Sequence, residues 1–185
     1  TTRLLEQLTS PMEFSQLEWP EQLSSVASGA VDAAIVRPPM PMIDGLTLER
    51  IAVEPRVVMV KRGHRFSGQE SVSINDLDDE YHVSTDRAAR EWISYWAVDP
   101  RPSGRPLQWG QLVRTMDEQV QAVAAGLAVA ITAASLADYH SGPEVDFIPI
   151  HDIEPCAIDL CTRTGDEHPG VLELRQAMQG LRQES

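Results

Sequence analysis

Residues 115–136, TMDEQVQAVAAGLAVAITAASL, constrain the fold more than any other stretch. Thr115 and Glu118 have the T-x-x-E spacing of a capping box, which predicts a helix start. Val120, Val123 and Ala124 then fall on one helical face. Gly126 stands where a left-handed turn costs a glycine least. Ala128–Ile131 lacks any polar residue, as a strand covered on both faces requires. A helix feeding such a strand is half of a parallel α/β unit. The pattern occurs twice: Val26-Ala27-Ser28-Gly29 precedes Ala33–Val36, as Val123-Ala124-Ala125-Gly126 precedes Ala128–Ile131. Two such units predict two similar lobes.

The 185 residues suffice for two small lobes. Hydrophobic residues make up 42% and charged residues 23%, a globular balance. The net charge of −13 repels a phosphate backbone, so nucleic-acid contact is expected only through residues outside this sequence. No apolar run reaches membrane-spanning length, and TTRLLEQL carries no signal-peptide core. A cytoplasmic location without membrane contact is therefore expected. Cys156 and Cys161 lie five apart on one predicted strand and face opposite sides, so free packing thiols are expected.

Along the chain, RLLEQLT at 3–9 reads as a helix and FSQLEW at 14–19 as a strand. A helix over 21–28 leads into a strand at 32–36. Leu46, Leu48 and Ile51 mark an extended segment, and VVMV at 57–60 a strongly apolar strand. A short strand at 81–83 is followed by Ser84-Thr85-Asp86, N-cap residues for a helix over 87–98. Extended segments are predicted at 107–113, 145–150 and 157–162, with Pro149 keeping the middle one off a central position. A final helix spans 171–181. Strands alternating with helices predict mostly parallel sheets.

These motifs, taken in order, resemble the regulatory domain of LysR-type transcriptional regulators. The resemblance rests on VASGAVDAAIVRPP, VVMVKRGHRF with SVSINDL after it, EQVQAVAAGLAVAITAASLAD, and EVDFIPIHDI with AIDLCTRTGDEHPGVLELRQAM. It implies an α/β, two-lobed type 2 periplasmic-binding-protein fold with two crossovers. The first lobe is expected at 1–60 plus 155–185 and the second at 61–154, with crossovers near Lys61 and His151–Pro155. It further implies a small-molecule effector between the lobes. The homodimer it implies would use residues near Leu4–Leu8 and Gln119–Ala124, with tetramers in the full protein. DNA would be bound only by an N-terminal helix-turn-helix not present here. Three departures from the family pattern stand out. The sequence opens at Thr1-Thr2, where the family pattern is expected to have reached its first helix after a strand and a hydroxyl-bearing loop, Arg65-Phe66 replaces the usual Pro-Leu after Gly63-His64, and Arg37 occupies a loop position that is usually small or uncharged.

Ligands of open α/β sheets sit beyond the C-terminal ends of strands. On that rule the effector-contacting candidates are Arg37, Ser84, Thr85, Thr115, Met116 and Thr132. Helix N-termini and an arginine suit an anion. Ser84, Thr85 and Thr115 have a plainer role as caps, Thr132 as a strand-end hydroxyl satisfied by backbone, and Arg37 as a surface ion-pair partner. No G-x-S-x-G, Gly-rich phosphate loop or H-E-x-x-H occurs, so neither catalysis, cofactor nor metal is expected. The five histidines sit in or near turns and are expected to be solvated. Besides an enzyme built on this fold, for which no residues stand out, two other readings stay open. One is a solute-binding protein of a transport system. The other is a redox sensor using Cys156 or Cys161, which needs an exposed, reactive thiol.

Overall fold

A computed structural model of the chain describes residues 8–41, 43–140 and 142–183. The chain divides into two compact units. One comprises the chain up to Val53 and again from Ala157 on, and the other is Glu54–Cys156.

In the first unit, helix α1 (Gln22–Ser28) ends at Gly29, whose φ of 77° is the left-handed turn expected there. Strand β1 (Ala33–Val36) follows, then β2 (Leu46–Glu54). Strand β8 (Cys156–Arg163) lies between β1 and β2, and helix α5 (Pro169–Gln183) closes the unit. Strand alternation sorts the core into two layers. Cys161, Ala34 and Val36 pack with Leu23 and Val26 of α1, whereas Leu160 and Ala33 pack with Leu174, Ala177 and Met178 of α5. Arg163 locks the end of α1 by donating to the carbonyls of Val26 and Val31, both at 3.2 Å.

The second unit is built around β3 (Arg56–Lys61), which pairs antiparallel with both β6 (Ala130–Ala133) and β7 (Val145–Pro149). Strand β4 (Tyr81–Ser84) pairs parallel with β5 (Gln108–Leu112). A parallel bridge between His82 and Val129 joins β4 to the start of β6. Helix α2 (Arg90–Ala97) lies between β4 and β5, α3 (Met116–Ala124) between β5 and β6, and the short α4 (Leu136–Tyr139) after β6. Val58, Val60, Ile131 and Ile148 pack on one face with Trp96, Ile74 and Leu77, while Met59, Ala130 and Val145 face Val123 of α3 on the other.

Several sequence expectations need correction. The ladders are not mostly parallel, since β1–β8, β3–β6 and β3–β7 are all antiparallel. Helical crossovers keep β4, β5 and β6 in one direction. Strands β3 and β8 enter from the other unit instead; β3 lands reversed between β6 and β7, and β8 lands reversed against β1. The division therefore falls after Val53, not after Val60, because all of β3 hydrogen-bonds within the second unit. Residues 14–18 form no strand, and a 3-10 turn at Trp19–Glu21 precedes α1. Helix α2 begins at Arg90, three residues later than predicted, with no side-chain cap. His82 is not solvated but buried on β4, 2% exposed. The predicted N-terminal helix at 3–9 lies almost wholly outside the described residues; of it only Leu8 and Thr9 are described, neither helical, with Leu8 packed against the α5 layer.

Candidate functional site

The parallel run of β4, β5 and β6 brings three strand ends to one edge of the second unit. Ser84 pairs with Leu112, and Ser84 accepts a backbone hydrogen bond from Val113 at 2.8 Å. The parallel His82–Val129 bridge runs β6 in the direction of β4, so Thr85, just past β4, and Thr132, near the end of β6, lie toward the same end. Ser84, Thr85, Thr115, Met116 and Thr132 therefore share this edge. Arg37 belongs to the first unit, half-buried directly after β1.

Each candidate has a local role. The Thr115 hydroxyl accepts from the Glu118 amide at 3.1 Å, as the capping spacing predicts. The reciprocal half of the box is displaced by one residue, since the Glu118 carboxylate takes the Arg114 amide at 2.7 Å. Met116 lies beside Gln119, whose side-chain amide approaches its sulfur at 3.7 Å. The Thr85 hydroxyl accepts from the Arg87 amide at 3.1 Å in a local turn, so neither Ser84 nor Thr85 caps α2. Thr132 is buried within β6, 6% exposed, opposite Val57. Arg114 reaches Asp86 at 3.6 Å and ties the β4 loop to the start of α3. The edge thus offers hydroxyls, one helix start and one arginine. Asp117 and Glu118 in the first turn already use part of the positive end of α3.

Below this edge lies a buried polar cluster that sequence reasoning missed. Arg101 donates to His82 Nε2 at 2.5 Å and to the Ile74 carbonyl at 3.2 Å, and its Nε lies 4.0 Å from Asp78 Oδ1. The Asp78 Oδ1, Arg101 Nε and Trp96 Nε1 atoms are buried without a hydrogen-bond partner. Burial, reinforced by the Arg101 charge, pushes the His82 pKa down to about 3, so the ring is neutral and accepts through Nε2. One signal for His82 was present: it alternates with the exposed Tyr81, so strand parity turns it inward. Arg101 sits in DPRPSGRP, whose prolines and glycine read as an ordinary loop.

Both cysteines are free and fully buried, Cys156 in the core of the second unit and Cys161 in that of the first. Burial raises the Cys161 pKa, the opposite of what a reactive thiol needs. Among the described residues no three His, Cys, Asp or Glu side chains converge as a metal site, and no helix is long and apolar enough to cross a membrane.

The sequence profile of the LysR substrate binding domain matches residues 11–182. The chain belongs to this family. No curated protein matches the chain by sequence. Solved structures agree in fold. CbnR, a LysR family transcriptional regulator, superposes with a TM-score of 0.78 at 18% identity, over 98% of this chain and 63% of CbnR. Full-length CbnR complexed with its target DNA gives 0.73 at 18% identity, over 91% of this chain and 59% of that one. The BenM effector binding domain with its effector benzoate gives 0.70 at 18% identity, over 92% of this chain and 78% of that one. The chain thus spans about three fifths of full-length CbnR. These likenesses fix the type 2 periplasmic-binding-protein fold.

Proposed function

We propose that this LysR substrate binding domain senses a small anionic molecule, held by Arg37 together with the strand-end hydroxyls of Ser84, Thr85, Thr115 and Thr132 and by Met116. The observation that carries the reading is the family match across 11–182. The convergence of three parallel strand ends at Ser84, Thr115 and Thr132 supports it. The relative BenM carries benzoate, a small carboxylate, in a domain of the same fold. Ligand binding acts by favouring one arrangement of the domain over another, because an effector shifts an equilibrium only through differential affinity.

On this reading the domain modulates transcription in the cytoplasm through a DNA-binding part outside these residues. It is a sensor rather than an enzyme, with no cofactor, and works as a homodimer that assembles into a tetramer in the longer protein. The net charge of −13 fits a division of labour in which this domain does not touch DNA. Helix α3 turns Gln119, Ala122 and Val123 inward, so only its other side, around Gln121, is left for a dimer contact.

A thermal-shift screen of small carboxylates, amino acids and aromatic acids tests the reading, with a rise in melting temperature expected for a carboxylate. Arg37→Ala is expected to weaken an anionic ligand about tenfold or more, as loss of a charge-assisted pair does, and a neutral analogue far less. Equal weakening of both would remove Arg37 from the site.

A further inference from the structure

The chain passes between its units at two proline-bearing segments, Glu54-Pro55-Arg56 and Glu154-Pro155-Cys156. Proline has no N–H, so these segments offer more backbone acceptors than donors. Side chains supply the missing donors. Arg56 donates from Nε to the Glu154 carbonyl at 2.8 Å and from a terminal nitrogen to the Tyr95 carbonyl near the end of α2 at 2.9 Å. Its guanidinium lies 4.5 Å from the centre of the Tyr95 ring. The Tyr95 hydroxyl donates to the Pro155 carbonyl at 3.4 Å, and the Cys156 thiol to the Glu54 carbonyl at 3.5 Å. Backbone groups complete the pattern. The Pro55 carbonyl accepts from Ala134 at 3.0 Å, the Arg56 carbonyl from Ile150 at 3.1 Å, and the Glu54 carboxylate from the Ser135 amide at 2.7 Å.

These bonds run to α2, to residues just beyond β6 and β7 of the second unit, or to the other connecting segment. A buried guanidinium is costly to desolvate, and burial lowers the Arg56 pKa. An apolar side chain would fill the space without that cost but could not hold two separate pieces of backbone. The planar fork of arginine can do so, whereas a lysine ammonium cannot also stack on the ring.

We propose that Arg56 is a positioning residue that latches both connecting segments onto the second unit. The latch does not need a ligand.

Hydrogen exchange on the purified, ligand-free chain tests the latch. Arg56→Lys is expected to speed exchange at the Glu54, Arg56, Glu154 and Cys156 amides by about tenfold or more, while Val58, Met59, Ala130 and Ile131 stay within about twofold. Tyr95→Phe removes one hydroxyl and is expected to speed only Glu154 and Cys156. A rise shared equally by β3 and β6, or none at either segment, overturns the latch. Should Arg56→Lys not fold, unchanged exchange at Glu154 and Cys156 in Tyr95→Phe overturns it alone. Because no effector is present, failure here is distinct from failure of the sensor reading, which shows only in ligand titrations.

Discussion

His82 illustrates how one residue can carry a pH dependence through a whole unit. Burial, reinforced by the Arg101 charge, holds the ring neutral against the Leu77 carbonyl 3.4 Å away, which favours the protonated form. Its folded pKa of about 3 lies below the ordinary value of 6.5. The unfolded chain therefore binds the extra proton first as pH falls. The stability this site contributes is complete above pH 6.5 and is lost progressively down to about pH 3. A single group of this kind removes at most about 1.4 kcal/mol per pH unit. Chemical denaturation between pH 7.5 and 5.5 should show the native chain weakening, and His82→Gln should flatten that slope. An unchanged slope in His82→Gln would show that other groups carry it. Glu173 behaves in a related way on the first unit. Contacts from Ser10 and Thr9 hold its carboxyl at about 2, below the usual 4.5, so its anchoring of residues 9 and 10 is present above pH 4.5 and fades below it. The carboxylate shift was not legible in the sequence, because it depends on contacts more than 160 positions apart.

At the scale of elements, local chemistry explains what the sequence could and could not show. The stretch from Thr115 through Gly126 was readable because cap, stripe and stop all act within a few residues of one another. The Thr115 cap and the Gly126 φ of 74° are both present. Thr115→Ala should cost about 1 kcal/mol in denaturant unfolding, the usual worth of such a cap. Gly126→Ala should cost about 1–2 kcal/mol, because an L side chain is strained in the left-handed region. The nearest atom to an added Cβ is Lys61 Cδ at 3.1 Å, the far part of a flexible chain, so backbone strain rather than crowding sets that cost. A stabilising Gly126→Ala would refute the assignment of the turn. The start of α2 misled for an equally local reason. Ser84-Thr85-Asp86 has the composition of a cap, but β4 runs on through Ser84 and Thr85 spends its hydroxyl on Arg87. Strand direction was the larger error. Helical crossovers predict parallel neighbours, and nothing local reveals that β3 and β8 enter from outside the unit they complete.

The whole molecule is a pair of α/β units whose repeated helix–glycine–strand pattern was visible in the sequence, and whose family is set by the match across 11–182. The candidate edge was legible in part. Strand ends could be named from hydrophobic runs to within a residue or two: β4 runs on through Ser84, and Thr132 lies one residue inside the end of β6. The polar cluster of His82, Arg101 and Asp78 and the latch at Arg56 were not, since each joins residues distant in sequence. The central claim is that a small anion is held at the C-terminal ends of β4, β5 and β6 and by Arg37. The most direct test is amide protection in the purified chain, with and without the carboxylate that gives the largest thermal shift. The account predicts protection at Ser84–Asp86, Thr115–Met116, Thr132 and Arg37. Protection confined to the depression lined by Lys61, Arg62, Gln121 and Glu144, at the opposite end of α3, would contradict it.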